Sequence, residues 1–414
     1  MAAAGWEGPA PDEGSDGLTV KLQALELPAS APVLTVVLDA TPSGDNRDNT
    51  ALSRWGDLRR TLRPEGADGD ASADIDAVTE ALGVPVRTSG EFGRVLVASG
   101  GQVVLDRLLP QPPGEGRAVL SDHAHAFALA GVADATVRYL LVSVDRAGAD
   151  IALYEASAGL DEAAEETRSV EGGHDELTKT APGFLGHKRV ENRAEDSWER
   201  NAQAVAGEVN RIVRERGPEL VLLTGDHRAR SLVHDALGQQ ARELTVEVSG
   251  GGRADGVNTR ALREHLATEL TAHCRRRRTA VLDRFRQEEG RDGAAVTGLA
   301  DVVEVLRKGQ VAELLLTPET LGPPSRLAER SLWIGAGPLQ VAMTEDELHS
   351  AGVESVQKVR ADLAIGRAVL DQQSGITVAP DLQAADGVAA LLRWRDSGTP
   401  GEHALAGTAD SRRV

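Results

Sequence analysis

Strand-like and helix-like segments alternate along most of this chain, and this alternation restricts the fold more than any other feature of the sequence. The segment PELVLLTGDHRARSLVHDAL (218–237) places an apolar, strand-like run before a turn and an amphipathic stretch. The pattern recurs in VAELLLTPE (311–319), which is followed by DLAIGRAVLDQQSG (362–375). Buried strands that alternate with amphipathic helices build layered α/β domains. We therefore predict an α/β fold.

The length of the chain and the spacing of these segments predict several domains. With 414 residues, the chain is long enough for two or three hydrophobic cores. A helical pattern from 259 to about 286 has the length of a strut between two domains. A second long helix is predicted within 183–213, where apolar residues recur at helical spacing and form one stripe: Val190, Ala194, Trp198, Ala202, Val205, Val209 and Val213. The predicted organisation is a disordered leader (1–17), an N-terminal α/β domain (18–134), a middle α/β domain (135–272) with a long tip loop (157–187), a C-terminal α/β/α domain (273–396) and a disordered tail (397–414).

Composition excludes several classes of protein. The formal net charge is −19, which argues against a general nucleic-acid coat and against DNA as a partner, although it leaves room for a local basic tip. Cys274 is the only cysteine, so the chain has no disulfide framework. The first residues resemble neither a signal peptide nor a membrane span. We expect a cytoplasmic protein that needs no membrane and no cofactor.

The tripeptide Gly100–Gly101–Gln102 has two interpretations. It lies between the strand-like runs RVLVAS and VVLDRLL, where two glycines favour a tight hairpin turn. Gly-Gly-Gln is also the tripeptide with which release factors hydrolyse peptidyl-tRNA, but that function requires a projecting loop. The flanking strands therefore favour the turn.

Three other segments carry weaker chemical signals. SGGGRADG (249–256) lies between a strand and a helix, as phosphate loops do, but lacks their spacing, so a flexible loop is favoured. His123 and His125 fall on one face of any strand, near Asp122, and could hold a metal, yet no third strong ligand follows at a recognisable spacing. Asp226 and His227 directly follow a strand, at a position where open α/β sheets bind ligands, but capping of the next helix by Asp226 is the favoured role.

Two basic segments are candidates for contact with RNA phosphates. TKTAPGFLGHKR (178–189) concentrates cations where a loop meets a helix start, a position at which the helix dipole disfavours positive charge. HCRRRR (273–278) is the densest basic cluster, with a solvated helix face as its alternative. The predicted RNA-binding residues are Lys179, His187, Lys188, Arg189 and Arg193, and the second basic patch is Arg275, Arg276, Arg277 and Arg278.

The order of the motifs resembles the archaeal and eukaryotic class-1 release factor and Pelota superfamily. The resemblance is carried by GFLGHKRVENRAEDSWERNAQAVAGEVNRIV (183–213), VTGLADVVEVLRKGQVAELLLTPE (296–319) and DGVAALLRW (386–394). The chain looks closest to the bacterial branch, called baeRF, whose members include Balon-type factors that occupy the A site of idle ribosomes. This resemblance implies three α/β domains in a tRNA-mimicking, release-factor-like arrangement.

The chain departs from that family at its catalytic tripeptide. The position before Lys188 reads APGFLGHKR and contains no glutamine. The first domain also lacks the Asn-Ile-Lys-Ser motif of stop-codon reading. By the resemblance, the tip loop contains Gly172, Gly173, His174, Gly183, Phe184, Leu185 and Gly186.

The resemblance without the glutamine implies a non-catalytic occupant of the ribosomal A site, active in hibernation or ribosome protection. Its implied partners are the ribosomal RNA of the A site and peptidyl transferase region, and elongation factor Tu as a delivery partner. An alternative is a peptidyl-tRNA hydrolase in which His174 or His187 assists the water, so enzymatic activity stays open. A third hypothesis is a stress-related interaction protein with no role on the ribosome.

Overall fold

The computed structural model describes residues 32–43, 50–62, 71–86, 90–122, 125–157, 164–171, 184–253, 259–291, 293–321 and 325–401, with the side chains of 184–197 left out. The chain divides into two compact units. We call residues 135–274 the middle unit, and residues 1–134 with 275–414 the terminal unit. Both are mixed α/β structures, which confirms the predicted fold class.

The first part of the terminal unit is an antiparallel sheet with helices. Its elements are β1 (Val33–Asp39), α1 (Thr50–Thr61), α2 (Ser72–Gly83), β2 (Gly93–Ser99), β3 (Gln102–Leu109), β4 (Arg117–Ser121) and α3 (Ala126–Ala135). The strand order is β3-β2-β1-β4. Both central strands are buried along nearly their whole length, which explains their continuous β-branched and apolar runs.

The Gly-Gly-Gln tripeptide closes the β2–β3 hairpin. Gly100 and Gly101 have φ angles of +62° and +77°, the left-handed conformation that both positions of a type I′ turn require. Ser99 pairs with Gln102, the first residue of β3, and the Gly101 N–H donates to Asp74 Oδ1 at 2.7 Å. The predicted turn is confirmed.

The second part of the terminal unit contains two further sheets. Its elements are β10 (Ala295–Thr297), α8 (Leu299–Arg307), β11 (Val311–Leu316), β12 (Ser331–Ile334), β13 (Val341–Ala342), α9 (Glu345–Ser350), β14 (Gln357–Arg360), α10 (Ala361–Asp371), β15 (Gly375–Val378) and β16 (Val388–Leu392). The strand orders are β10-β16-β11-β15 and β13-β12-β14. The smaller sheet was not predicted, because its strands have two to four residues and short strands give little periodic signal.

The two parts of the terminal unit share one hydrophobic core. Val37 of β1 and Phe127 of α3 lie in the same buried cluster as Leu314 of β11 and Ile365 of α10. The apolar face of α3 is thus covered by residues that follow it by more than 150 positions in the chain. The segments predicted as a first and a third domain therefore lie in one unit.

His125 lies in this shared core and not on a strand, which corrects the premise of the proposed histidine pair. Its Nδ1 accepts from the Ala128 N–H at 3.2 Å, so the ring caps α3, and its Nε2 donates to Asp362 Oδ2 at 3.1 Å. Both ring nitrogens are therefore occupied. His123 lies outside the described residues, and the part of the chain that the structure describes contains no cluster able to hold a metal ion.

The middle unit is a five-stranded sheet with helices. Its elements are β5 (Thr136–Val144), β6 (Gly148–Ser157), β7 (Glu166–Glu171), α4 (Phe184–Arg216), β8 (Leu220–Gly225), α5 (His227–Ala236), α6 (Gln239–Glu243) and β9 (Thr245–Glu247), and α7 (Thr259–Glu289) begins here and continues into the terminal unit. The strand order is β7-β6-β5-β8-β9, with β5, β8 and β9 parallel to one another. Among the helices described, none is both long and apolar enough to cross a bilayer.

Candidate functional site

The basic segment predicted to contact RNA lies at the beginning of α4. This helix begins at Phe184, has 33 residues and has no acidic residue in its first turn. Its first three turns contain Phe184, Leu185, Gly186, His187, Lys188, Arg189 and Arg193. The remaining predicted tip residues, Gly172, Gly173, His174, Lys179 and Gly183, lie outside the described residues.

The predicted tip loop 157–187 needs a correction. Residues 166–171 form β7, which pairs antiparallel with β6, and the helix already begins at Phe184. β7 is an edge strand with a mostly exposed, charged sequence, and such a strand gives no apolar alternation. Its residue Arg168 pairs with Glu208 of α4 at 3.2 Å, so the strand is fixed to the helix that follows it.

The amphipathic stripe predicted for α4 packs on the sheet from Trp198 onward. Ala202, Val205, Val209 and Val213 are buried in one cluster with apolar residues of β5, β6 and β8. Burial of this face, and not intrinsic propensity, holds so long a polar helix in place. The part of α4 that packs on the sheet therefore holds the basic N-terminal part of the same helix in position.

The parallel strands β5 and β8 end side by side, at Val144 and Gly225. Asp226 follows directly and accepts from the backbone N–H groups of Arg228 and Ala229 at 3.0 and 3.1 Å, which confirms the predicted cap of α5. The carboxyl ends of parallel strands form the edge at which open α/β sheets bind ligands. This edge is therefore the candidate site of the middle unit.

Charges at this edge are largely paired. Arg253 donates to Asp145 Oδ1 at 3.0 Å and to Asp150 Oδ2 at 3.1 Å. Burial would raise the pKa of Asp145, but hydrogen bonds from the Ala147 N–H and from Arg253 outweigh it and hold this pKa below its usual range. The loop that contains Arg253 is also bound to the sheet through Gly251, whose N–H donates to Thr224 Oγ1 at 3.1 Å. Arg253 therefore stabilises the position of this loop.

A small cleft with room for about one water molecule lies at the same edge, between α4, α5 and the β5–β6 turn. One wall is the half-buried indole of Trp198, and the Arg228 guanidinium lies 5.3 Å from its centroid. Asn201 lines the cleft and donates through Nδ2 to the Arg146 carbonyl at 3.0 Å. The sequence placed Trp198 on the apolar stripe of α4 but gave no signal for its neighbours, since these come from separate elements.

The second predicted basic patch lies in the terminal unit and divides into two pairs. Arg278 Nε donates to Asp134 Oδ2 at 2.5 Å, and Arg277 Nη2 donates to the Asp134 carbonyl at 2.8 Å. These two side chains are half-buried, whereas Arg275 and Arg276 are exposed. Two of the four arginines thus support the fold, and the exposed pair is oriented toward solvent.

Residues 138–291 match the family described as bacterial archaeo-eukaryotic release factor family 2. The match runs from β5 through the cleft and the basic helix start to the end of α7. It confirms the resemblance to the bacterial release-factor-like family. An uncharacterised Mycobacterium tuberculosis protein, Rv2629, is 27% identical over 384 residues, which cover 91% of this chain and 96% of that protein.

Three solved structures are similar at low identity. Dom34 of S. cerevisiae, described as a translation termination-like factor, is 10% identical, with 94% of both chains covered and a TM-score of 0.36. Pelota of Archaeoglobus fulgidus is 13% identical, with 94% of both chains covered and a TM-score of 0.32. The archaeal translation termination factor aRF1 is 13% identical, with 91% of this chain and 96% of that chain covered and a TM-score of 0.22.

Proposed function

We propose, from the premise that residues 138–291 are release-factor-like, that this protein binds the ribosome and occupies its A site as a non-catalytic tRNA mimic. In this role it protects idle ribosomes during hibernation or stress. The start of α4 contacts ribosomal RNA near the peptidyl transferase region. Elongation factor Tu is the proposed delivery partner.

The position of the Gly-Gly-Gln tripeptide is the observation that carries this proposal. The chain contains the tripeptide once, and there Gly100 and Gly101 are closed in a hairpin turn while Gln102 pairs within the sheet. The release-factor-like segment, by contrast, reads APGFLGHKR at its helix start. A release-factor-like protein that lacks a glutamine before the start of this helix is suited to occupying the ribosomal A site and not to hydrolysing the ester bond of peptidyl-tRNA.

The charge distribution supports contact through a few cations. With a net charge of −19, the protein as a whole is repelled by RNA at long range. Lys188 and Arg189 lie at a helix N-terminus, where positive charge does not stabilise the helix. A phosphate at this position would pair with these cations and accept hydrogen bonds from the backbone N–H groups of the first helical turn. Few phosphate contacts give a shallow dependence of affinity on salt.

Co-sedimentation with vacant bacterial ribosomes at moderate salt tests the proposal. Wild type should pellet, and Lys188→Glu/Arg189→Glu should stay in the supernatant. The matched control is Arg59→Glu/Arg60→Glu, which reverses two exposed charges on α1 and should pellet like wild type. If wild type fails to pellet even with elongation factor Tu and GTP, the role on the ribosome is excluded and the interaction-protein hypothesis replaces it.

Release of labelled peptide from ribosomes that carry peptidyl-tRNA separates the occupant from a hydrolase. We expect no release above background. Release by wild type that disappears in His174→Ala or His187→Ala would instead establish the hydrolase alternative, with an imidazole as general base.

A further inference from the structure

The edge strand β7 has little apolar surface with which to hold its place in the middle unit. Among the strands described, it pairs with β6 alone. Its six residues, ETRSVE, include one apolar side chain, that of Val170, which packs against the buried cluster between α4 and the sheet. The other five residues are polar or charged, and most of the strand is exposed. Apolar burial therefore contributes little to the docking of β7.

Charged side chains connect β7 to α4 instead. Arg168 of β7 donates to Glu166 Oε1 at 2.5 Å and to Glu208 Oε1 of α4 at 3.2 Å. Two further arginines of α4 donate to the same carboxylates. Arg216 donates to Glu166 Oε2 at 3.1 Å, and Arg211 donates to Glu208 Oε2 at 3.0 Å. We call this cluster of two carboxylates and three arginines the β7 latch.

The β7 latch is charged at neutral pH and is accessible to salt. Hydrogen bonds from Arg168 hold the pKa of Glu166 below its usual range, and hydrogen bonds from Arg211 do the same for Glu208. The side chains of these two glutamates are 27% and 22% exposed. Ion pairs at partly exposed positions weaken as the salt concentration rises. The docking of β7 should therefore depend on salt.

The end of β7 lies beside the point at which α4 begins to pack on the sheet. The last residue of β7 pairs with Gly148, and Gly148 lines the same small cleft as Trp198, where the buried stripe of α4 begins. Residues 172–183 connect β7 to α4, and Lys188 and Arg189 follow in the first turns of the helix. The docking of β7 therefore fixes the point from which the chain leads to these two cations.

We propose that the β7 latch positions the chain that leads to the basic start of α4, and that opening of the latch weakens ribosome binding. The inference rests on the proposed function for the ribosome contact, whereas the docking of β7 is a property of the middle unit alone. The latch adds a second dependence on salt to the screening of phosphate contacts.

Amide hydrogen exchange of the full-length protein tests the latch without ribosomes. Raising NaCl from about 0.05 M to about 0.5 M should speed exchange in β7 about fivefold and leave the buried strand β8 unchanged. Glu208→Gln should speed exchange in β7 about threefold at low salt and reduce its dependence on salt. The matched control is Glu247→Gln, which removes the ion pair with Arg230 in the same unit and should leave β7 like wild type.

Arg168→Gln covers the case in which Glu208→Gln destabilises the whole unit, which faster exchange in β8 would reveal. Arg168 is exposed and bonds both glutamates of the latch. Its loss should speed exchange in β7 about fivefold and leave β8 unchanged. Exchange in β7 that responds neither to salt nor to Arg168→Gln would overturn the latch.

Co-sedimentation with vacant ribosomes at fixed low salt tests the positioning role. Glu208→Gln and Glu247→Gln each remove one negative charge, so the change in net charge alone would strengthen RNA binding equally in both. The latch predicts instead that Glu208→Gln weakens binding about threefold and that Glu247→Gln does not.

The two experiments separate failure of this inference from failure of the proposed function. If wild type pellets and Glu208→Gln, with β7 exchanging faster, pellets equally well, the positioning role is wrong and the proposed function stands. If wild type does not pellet, the proposed function and the positioning role are both wrong, whereas salt-dependent exchange in β7 would still establish the latch itself.

Discussion

The imidazole of His125 donates to the carboxylate of Asp362 at 3.1 Å in the core of the terminal unit, and both side chains are 1% exposed. His125 precedes α3, and Asp362 lies in the first turn of α10, 237 positions later. Arg360 completes the network with hydrogen bonds of 3.1 and 2.6 Å to Asp362. One buried polar network thus connects the two parts of the unit.

This network predicts a loss of stability in mild acid. Burial lowers the pKa of His125 from its usual 6.5, and the positive charges of Arg117 and Arg360 act in the same direction, although Asp362 opposes them. His125 therefore takes up a proton near pH 6.5 in the unfolded chain but stays neutral at that pH in the folded protein. The contribution of His125 to the free energy of unfolding should be complete above pH 6.5, and the free energy of unfolding should fall as the pH decreases below this value.

Urea unfolding at pH 7.5 and 5.5 measures this dependence. His125→Asn cannot titrate but can still cap α3, so we expect a flatter pH profile and a cost of about 2 kcal/mol at pH 7.5 from the lost bond to Asp362. His234→Asn, at a partly exposed histidine of the middle unit, should leave the profile of the terminal unit unchanged. An equally steep profile in His125→Asn would contradict this assignment.

Glu313 should act in the opposite direction. Burial raises its pKa to about 7, against the hydrogen bond from Thr377 Oγ1 at 2.6 Å, so the folded protein keeps a proton that the unfolded chain releases near pH 4.5. The contribution of protonated Glu313 to the free energy of unfolding is complete below pH 4.5 and is lost as the pH rises to about 7. Glu313→Gln should therefore stabilise the protein at pH 8, by at most about 3 kcal/mol, and change little at pH 4.5.

The exposed Glu329→Gln serves as the control for Glu313→Gln. Thermal unfolding at both pH values compares the two variants. Equal shifts for both variants at pH 8 would show that burial does not raise the pKa of Glu313.

The basic cluster of α7 should separate into structural and free arginines. Arg278→Ala leaves the Asp134 carboxylate, 7% exposed, without its ion pair and should cost about 2 kcal/mol. Arg275→Ala removes an exposed side chain and should change stability by less than about 0.5 kcal/mol. Urea denaturation measures both, and equal costs would contradict the division of the cluster.

The β2–β3 turn should need its glycines but not its glutamine. Ala at Gly100 or Gly101 should cost about 1 kcal/mol each, because both positions are left-handed. Gln102→Ala, at an exposed position beside the turn, should change neither stability nor ribosome binding. A Gln102→Ala variant that folds but does not bind ribosomes would show that the tripeptide has a functional role and is not only a turn.

Features fixed by neighbouring residues could be predicted from the sequence. The hairpin turn at Gly100 and the helix cap at Asp226 depend on a few adjacent residues, and both are confirmed. The apolar stripe of α4 is confirmed from Trp198 to Val213, since helical periodicity is a strong signal over that length.

Features that depend on distant partners could not be predicted. β7 becomes a strand because β6 pairs with it, although its own sequence is polar. The bond between His125 and Asp362 joins segments whose proximity no local pattern encodes. The small cleft at the carboxyl edge of the middle sheet likewise takes its walls from α4, α5 and the turn after β5.

Competition with A-site tRNA tests directly whether the protein occupies the A site. Ribosomes that carry a P-site tRNA and a short message are prepared with the A site either empty or filled by aminoacyl-tRNA, and binding of the labelled protein is measured at fixed salt. We expect the protein to bind ribosomes with an empty A site and not to bind ribosomes in which tRNA fills that site. Equal binding to both would contradict A-site occupancy and place the protein elsewhere on the ribosome.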